Sequence, residues 1–182
     1  TCCILLNNGT LERKLRDAGI AVVVIREREN NVIGLILKIS RLVKSNGCVL
    51  VHSHRYKENF VAVCVSWLCR GTCLVKTVYG LREIVSGWRK LKRTFLYSAD
   101  LQLSKCFIDK TIVVTKDIKN EISVTVPTDK IEVINNSIDS KALQKSHEKL
   151  RLEFAGSGDV YLVGTFSRLV RVKGLDYFVK AA

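Results

Sequence analysis

Residues 48–79 read CVLVHSHRYKENFVAVCVSWLCRGTCLVKTVY, and this stretch decides the fold class. Two short apolar runs, 48–52 and 73–79, flank a longer segment of helical period at 58–70, which Gly71 follows. Short apolar runs that alternate with helical segments predict βαβ units and a mostly parallel sheet. Glycine is a common residue just past the C terminus of a helix. The stretch therefore predicts a strand, a helix and a second parallel strand.

The same alternation predicts the fold of the rest of the chain. Strands are predicted at 2–6, 20–25, 48–52, 73–79, 111–115, 131–134 and 160–166, and helices at 10–18, 32–44, 58–70, 86–106, 116–125 and 174–182. This pattern predicts an α/β fold with a Rossmann-like, doubly wound parallel sheet in residues 1–139. Polar and glycine-containing sequence follows at 140–158. Residues 140–182 are therefore predicted to hold a linker and the beginning of a second Rossmann-like domain.

Composition excludes several classes of protein. Hydrophobic residues make up 47% of the 182, with 11 glycines and one proline, which argues against a disordered or collagen-like chain. No apolar run approaches the length of about 18 residues that a membrane-spanning helix needs. The formal net charge of +13 favours polyanionic partners, which are nucleic acid, an acidic lipid surface or a phosphorylated small molecule.

Seven cysteines, an odd number, indicate reduced thiols in a cytosolic compartment. Cys64, Cys69 and Cys73 lie close in sequence but match no zinc-binding spacing, so they are expected to be buried free thiols and no metal site is predicted. The chain has no methionine and ends at Ala182 within a predicted helix. We therefore expect a fragment that is cut at both ends, with a processed N terminus as the alternative for its start.

The first candidate site follows the third predicted strand. Ligands of doubly wound sheets bind beyond the carboxyl ends of the strands, and the stretch HSHRYKEN at 52–59 places polar and charged side chains there. The N–H groups of a helix N terminus, together with Arg55 and Lys57, favour a phosphate or sugar ligand. His52 and His54 are candidate catalytic residues, although a structural role for either is the alternative. We expect their rings on opposite faces of the strand, which makes them a poor metal pair.

The second candidate site is the stretch GTFSRLVRVKG at 164–174. Arg168 and Lys173 follow the glycine-bearing strand end at Gly164, and two converging cations suit a diphosphate. Basic residues near loops are common, so an ordinary solvated loop is the alternative. No G-x-G-x-x-G or P-loop sequence is present, so a classical dinucleotide site is not supported.

A basic and aromatic segment at 82–97 is the third candidate. As a helix it has a charged face and an aromatic face, which is typical of a segment that lies on an anionic membrane surface. The alternative is a core helix whose charges are simply solvated. The membrane-facing candidates are Arg82, Trp88, Arg89, Lys90, Lys92 and Arg93.

The order of five motifs resembles that of family 4 glycosyltransferases of the GT-B fold. The chain carries, in order, HSHRYKEN, KTVYGL, KTIVVTKDIKNEI, KIEVINNSID and VGTFSRLVRVKGLDYFVKAA. These stretches correspond to the family patterns VHxH, TxHG, xxVSxxxK, VIxNGxD and GRLxxxKG, and the resemblance covers most of the chain. Two positions depart from it, because Tyr79 stands where the family usually carries histidine and Asn136-Ser137 stands where it carries NG.

The resemblance implies an acceptor-side domain and the start of a donor-binding domain. It implies that Arg168 and Lys173 grip the diphosphate of a UDP- or GDP-sugar, that transfer retains the anomeric configuration, and that neither a metal nor another cofactor is needed. A glycan or a lipid-linked precursor of the cell envelope would be the acceptor. The candidate acceptor or phosphate ligands are Arg55, Tyr56, Lys57, Tyr79 and Gly80.

The resemblance further implies a cytoplasmic enzyme that is peripheral on the inner face of a membrane. The family's glycine-rich loop would precede Thr1 and its E-x7-E region would follow Ala182, so the fragment alone is expected to be inactive. The competing interpretation is a non-catalytic Rossmann-like module that binds a phosphorylated ligand or an RNA. The sequence carries no nucleic-acid-reading motif, so no specific nucleic acid is expected.

Overall fold

A computed structural model describes residues 1–80, 88–137, 161, 163–167, 169 and 173–181. The described residues up to 135 belong to one compact unit, and those from 136 onward belong to a second. The junction predicted at 140–158 lies outside the described residues, so the predicted domain boundary stays a prediction.

Strands and helices alternate through the first unit. Its strands are β1 Cys2–Leu5, β2 Ala21–Val24, β3 Leu50–Ser53, β4 Cys73–Val78, β5 Lys110–Val113 and β6 Ile131–Val133. Its helices are α1 Thr10–Asp17, α2 Val32–Ser45, α3 Tyr56–Leu68, α4 Trp88–Phe107 and α5 Lys116–Ile122, with 3-10 turns at Glu27–Glu29 and Thr128–Lys130. The described part of the second unit contains α6 Leu175–Ala181.

The described strands pair in parallel. Strand β1 pairs with β2, and strands β3, β4, β5 and β6 form a four-stranded sheet in chain order. Because parallel crossovers are right-handed, this order places α3, α4 and α5 on one face of the sheet. The predicted α/β fold with parallel strands is therefore confirmed, and its hydrogen bonds define two sheets.

Apolar side chains between the four-stranded sheet and its helices form the core. Leu74 of β4 packs in one cluster with Val63 of α3, and Val113 of β5 packs in another with Ile118 of α5. Val63 and Val113 have no exposed surface. The core therefore anchors the four-stranded sheet on the face that these helices cover.

Helix α2 connects the two sheets. It begins at Asn31, whose Oδ1 accepts a hydrogen bond from the backbone N–H of Gly34 at 2.7 Å. Its Leu35 and Val43 belong to one buried cluster with Ile25, which follows β2 and packs with residues of α3 and β3. The helix is followed by a glycine at 47, as predicted.

Several predicted boundaries differ from the structure by two or three residues, in β3, α3 and α5, and one predicted strand is not seen in the described residues. Helix α3 begins at Tyr56 rather than at 58, because Arg55 is the last extended residue and its carbonyl already accepts from the Asn59 N–H at 2.8 Å. The strand predicted at 160–166 is not formed at the described residues, where Tyr161 and Phe166 are fully exposed. An apolar run forms a strand only where a neighbouring strand pairs with it, and no described strand pairs with this run.

All seven cysteines are free thiols. Of the three thiols expected to be buried, Cys69 is buried, whereas Cys64 and Cys73 are only partly buried. Among the residues that the structure describes, no group of three or more histidine, cysteine, aspartate or glutamate side chains could hold a metal ion.

Candidate active site

Four side chains at the carboxyl ends of β3 and β4 lie on one face of the sheet. The two strands pair with His52 opposite Val75, and side chains two residues apart in a strand share a face. His52 and His54 therefore lie on the same side as Thr77 and Tyr79. We call these four residues the strand-end cluster.

The expectation that His52 and His54 face opposite sides is wrong. Their ring centroids are 4.4 Å apart and the ring planes are tilted by 35°. Side chains alternate between faces with a period of two residues in an extended strand. The spacing of the two histidines therefore places them side by side.

Each histidine makes a hydrogen bond to a hydroxyl group of the neighbouring strand end. His52 Nε2 lies 2.8 Å from Thr77 Oγ1, and His54 Nδ1 lies 2.9 Å from the Tyr79 hydroxyl oxygen. The rings of His54 and Tyr79 are stacked with centroids 5.9 Å apart. Tyr79, at the position where the resemblance leads us to expect a histidine, thus places a hydrogen-bonding group at this loop.

The local environment of His52 disfavours its charged form. Burial, and secondarily the nearby His54, lower the pKa of His52. A neutral imidazole offers one N–H donor and one acceptor nitrogen. If the Nε2–H of His52 donates to Thr77, the other ring nitrogen is left to accept a hydrogen bond from a ligand hydroxyl.

The other residues predicted beside this cluster are exposed. Arg55 precedes α3 without a side-chain cap, Tyr56 begins the helix, and Gly80 follows β4. Lys57 Nζ lies 3.1 Å from Glu27 Oε1, and this hydrogen bond raises the pKa of Lys57. Because the ion pair is exposed to solvent, it is weak, and an anionic ligand can compete with Glu27 for the ammonium group.

A separate polar cavity of about 470 Å³ opens at the carboxyl ends of β1 and β2. Arg26 Nε donates to Asn8 Oδ1 at 3.0 Å, and Lys38 Nζ donates to Asn30 Oδ1 at 2.6 Å along its wall. The sequence analysis did not predict these residues, because they are scattered over two connections and helix α2. Only the general rule that ligands bind at strand ends could have found them.

The predicted donor-site residues belong to the second unit. Gly164 and Lys173 are exposed, and Lys173 directly precedes Gly174, whose φ is 62°. Arg168 lies outside the described residues. The convergence of Arg168 and Lys173 on a diphosphate therefore stays a prediction.

The predicted membrane-facing segment contains the N-terminal half of α4. Leu91 and Phe95 are 70% and 71% exposed to solvent. By contrast, the Tyr97 hydroxyl donates a hydrogen bond to Glu121 Oε1 of α5 at 2.8 Å. The helix was predicted to have a single aromatic face, but its aromatic residues are divided: Phe95 faces solvent and Tyr97 contacts α5. None of the described helices is both long and apolar enough to cross a membrane. Outside the described residues lie Arg82 and the side chains of Trp88, Arg89, Lys90, Lys92 and Arg93.

The parallel strands and their connecting helices form a Rossmann-like α/β fold, and this fold matches that of GT-B glycosyltransferases. The sequence profile of Glycosyltransferase Family 4 matches residues 6–142. The chain belongs to this family, which confirms the resemblance seen in its motifs. No curated protein matches the chain.

Solved structures of HepE from Anabaena share this fold. The complex of HepE with UDP-glucose matches with a TM-score of 0.78 at 21% sequence identity, covering 98% of this chain and 48% of HepE. The complex with UDP and glucose matches with a TM-score of 0.77 at 20% identity and the same coverage. A glycosyltransferase from Rickettsia africae ESF-5 matches with a TM-score of 0.60 at 16% identity, covering 86% of this chain and 41% of that protein. The chain spans about half the length of the HepE structures.

Proposed function

We propose that the protein to which this chain belongs transfers a sugar from a nucleotide-activated donor to a glycan or lipid-linked acceptor at the inner face of a cell-envelope membrane. The observation that carries the proposal is the family match over residues 6–142. HepE, whose fold the chain shares, is described with UDP-glucose bound. This supports a nucleotide sugar as the donor.

The strand-end cluster is the proposed acceptor side of the reaction. A hydroxyl of the acceptor would hydrogen-bond to His52, whose lowered pKa keeps it neutral and able to accept. For retention, the bond from the anomeric carbon to the diphosphate oxygen breaks and the bond to the acceptor oxygen forms on the same face of the sugar ring. His52 is the candidate group to receive the hydroxyl proton, and Arg55 and Lys57 are candidate ligands for an anionic part of the acceptor.

Arg168 and Lys173 are the proposed donor-side residues. Negative charge develops on the nucleoside diphosphate as it departs, and two cations fixed beside it would stabilise that charge more in the transition state than in the ground state. Such a pair would take the place of a metal ion, which supports a metal-independent transfer. Retention of the anomeric configuration is proposed on the resemblance to the family alone.

The formal net charge of +13 favours a second candidate function. A basic Rossmann-like module can bind an RNA or a phosphorylated ligand without catalysis. Its affinity for an oligonucleotide would then fall steeply with salt concentration.

Thermal unfolding of the complete protein tests the two functions. We expect UDP or GDP to raise the melting temperature, because a ligand that binds only the folded state stabilises it. Arg168→Ala and Lys173→Ala should each remove this increase and lower turnover at least about tenfold. Lys44→Ala, at an exposed position of α2, is the matched control and should change neither.

Two results would contradict the proposal. Salt-dependent binding of oligonucleotides with no response to either nucleoside diphosphate would favour the RNA-binding alternative. Near-normal transfer by both Arg168→Ala and Lys173→Ala would remove these residues from the donor site.

A further inference from the structure

A buried polar network lies on the opposite face of the two strands that carry the strand-end cluster. Ser53 of β3 and Lys76 of β4 are partners in the parallel register and are 5% and 3% exposed. Asn59 of α3, which is 1% exposed, and Asp100 of α4 complete the network. Four polar side chains from four consecutive elements thus meet beneath the site.

Three hydrogen bonds connect these side chains. Ser53 Oγ donates to Asn59 Oδ1 at 2.9 Å, and Asn59 Nδ2 donates to Asp100 Oδ1 at 2.5 Å. Lys76 Nζ donates to Asp100 Oδ2 at 2.7 Å and forms an ion pair with it. Together with the pairing of β3 and β4, these bonds link β3, α3, α4 and β4 in a closed ring of contacts.

We propose that the buried polar network positions the strand-end cluster, so that Ser53, Asn59, Lys76 and Asp100 are positioning residues. Ser53 lies between His52 and His54 in the chain, and Lys76 directly precedes Thr77. Anchoring these two backbone positions fixes how the ends of β3 and β4 present the cluster on the other face. A role of the network in sugar transfer rests on the proposed acceptor site. Its effect on the geometry of the strand ends does not depend on that proposal.

Stability alone is a poor explanation for this network. Burial lowers the pKa of Lys76 in spite of the attraction of Asp100, so its surroundings disfavour the charged ammonium group. Neutral or apolar groups of similar volume often replace a buried ion pair without loss of stability. The charged and amide groups form directional hydrogen bonds, which hold the four side chains in one arrangement. Such precision matters at a site, because a displacement of about 1 Å can greatly reduce activity.

NMR spectroscopy of the 182-residue chain tests the proposal without requiring sugar transfer. The double variant Lys76→Met/Asp100→Asn removes both charges and keeps an oxygen that accepts from Asn59. We expect it to melt close to the wild type but to lose the NOE between the ring protons of His54 and Tyr79. The pKa of His52 should rise toward its ordinary value, because displacement of the strand end would remove the partial burial that lowers it.

Ser53→Ala is the second variant, and it tests the positioning role of the network if the double variant does not fold. It removes only the bond from β3 to Asn59, and it should weaken the same NOE. Ser104→Ala is the matched control, because the Ser104 hydroxyl is buried and donates to the Asp100 backbone oxygen at 2.6 Å on the same helix. It should leave the NOE and the His52 titration unchanged.

The inference is overturned if folded Lys76→Met/Asp100→Asn or Ser53→Ala retains the wild-type NOE and the wild-type pKa of His52. It is also overturned if Ser104→Ala disturbs the cluster as much as Ser53→Ala does. A failure of sugar transfer by the complete protein would refute the proposed function and leave these NMR results standing.

Discussion

Protonation of His52 should weaken the folded state. The ordinary pKa of histidine is 6.5, and that of folded His52 lies lower, so the unfolded chain binds the proton first as the pH falls. The free energy of unfolding should therefore decrease as the pH falls through 6.5, until the folded residue is protonated too. We expect the wild type to lose more stability than His52→Gln between about pH 7 and about pH 5, as measured by urea denaturation.

Parallel pH profiles for the wild type and His52→Gln would show that folding does not change the titration of this residue. The comparison is made as a difference between the two proteins, so the carboxylates that both share do not contribute to it. The prediction depends on burial first and on His54 second, and His54→Gln should therefore remove only the smaller part of the effect.

The residues of the strand-end cluster were predictable only in part. His52, His54 and Tyr79 follow from the rule that ligands bind where parallel strands end. Thr77 was missed, because its role depends on the register in which β4 pairs with β3, and no local pattern encodes that register. The buried polar network was missed for the same reason, since Asn59 and Asp100 are 41 positions apart.

The side chain of Asn31 marks the N terminus of α2. Asn31 Oδ1 accepts from the Gly34 N–H at 2.7 Å and satisfies a donor that the helix cannot pair itself. We expect Asn31→Ala to lower the free energy of unfolding by about 1 kcal/mol, measured by urea denaturation. Asn31→Asp should stay close to the wild type, because it keeps the acceptor oxygen. An unchanged unfolding midpoint for Asn31→Ala would mean that this cap does not stabilise the helix.

Periodicity predicted the helices well and one strand badly. Helix α2 alternates apolar and polar residues with the helical period, and its predicted start at 32 is confirmed. The start of α3 was misplaced because Arg55 carries no capping side chain that would mark it. The run at 160–166 is apolar like a strand, but sequence does not reveal whether a neighbouring strand exists to pair with it.

The positive net charge of the molecule could attract it to anionic surfaces in two ways. The attraction could come from net charge alone or from one particular surface. Thirty basic residues outnumber 17 acidic ones, so some attraction to any polyanion follows from net charge alone. A local surface is indicated on α4, where the exposed Leu91 and Phe95 stand one turn apart among basic positions. Apolar side chains flanked by cations are what an interfacial helix needs.

Two variants of equal net charge distinguish the general effect from the local one. The first replaces Arg89, Lys90, Lys92 and Arg93 by glutamine, and the second replaces four exposed basic residues elsewhere, Arg13, Lys14, Lys44 and Lys116. A basic residue near an anionic membrane contributes about 1 kcal/mol, so the first variant should bind phosphatidylglycerol vesicles at least about tenfold more weakly than the second. Equal losses in the two variants would assign the binding to net charge, because both remove the same number of cations. Unchanged binding by the first variant would show that this half of α4 does not face a membrane.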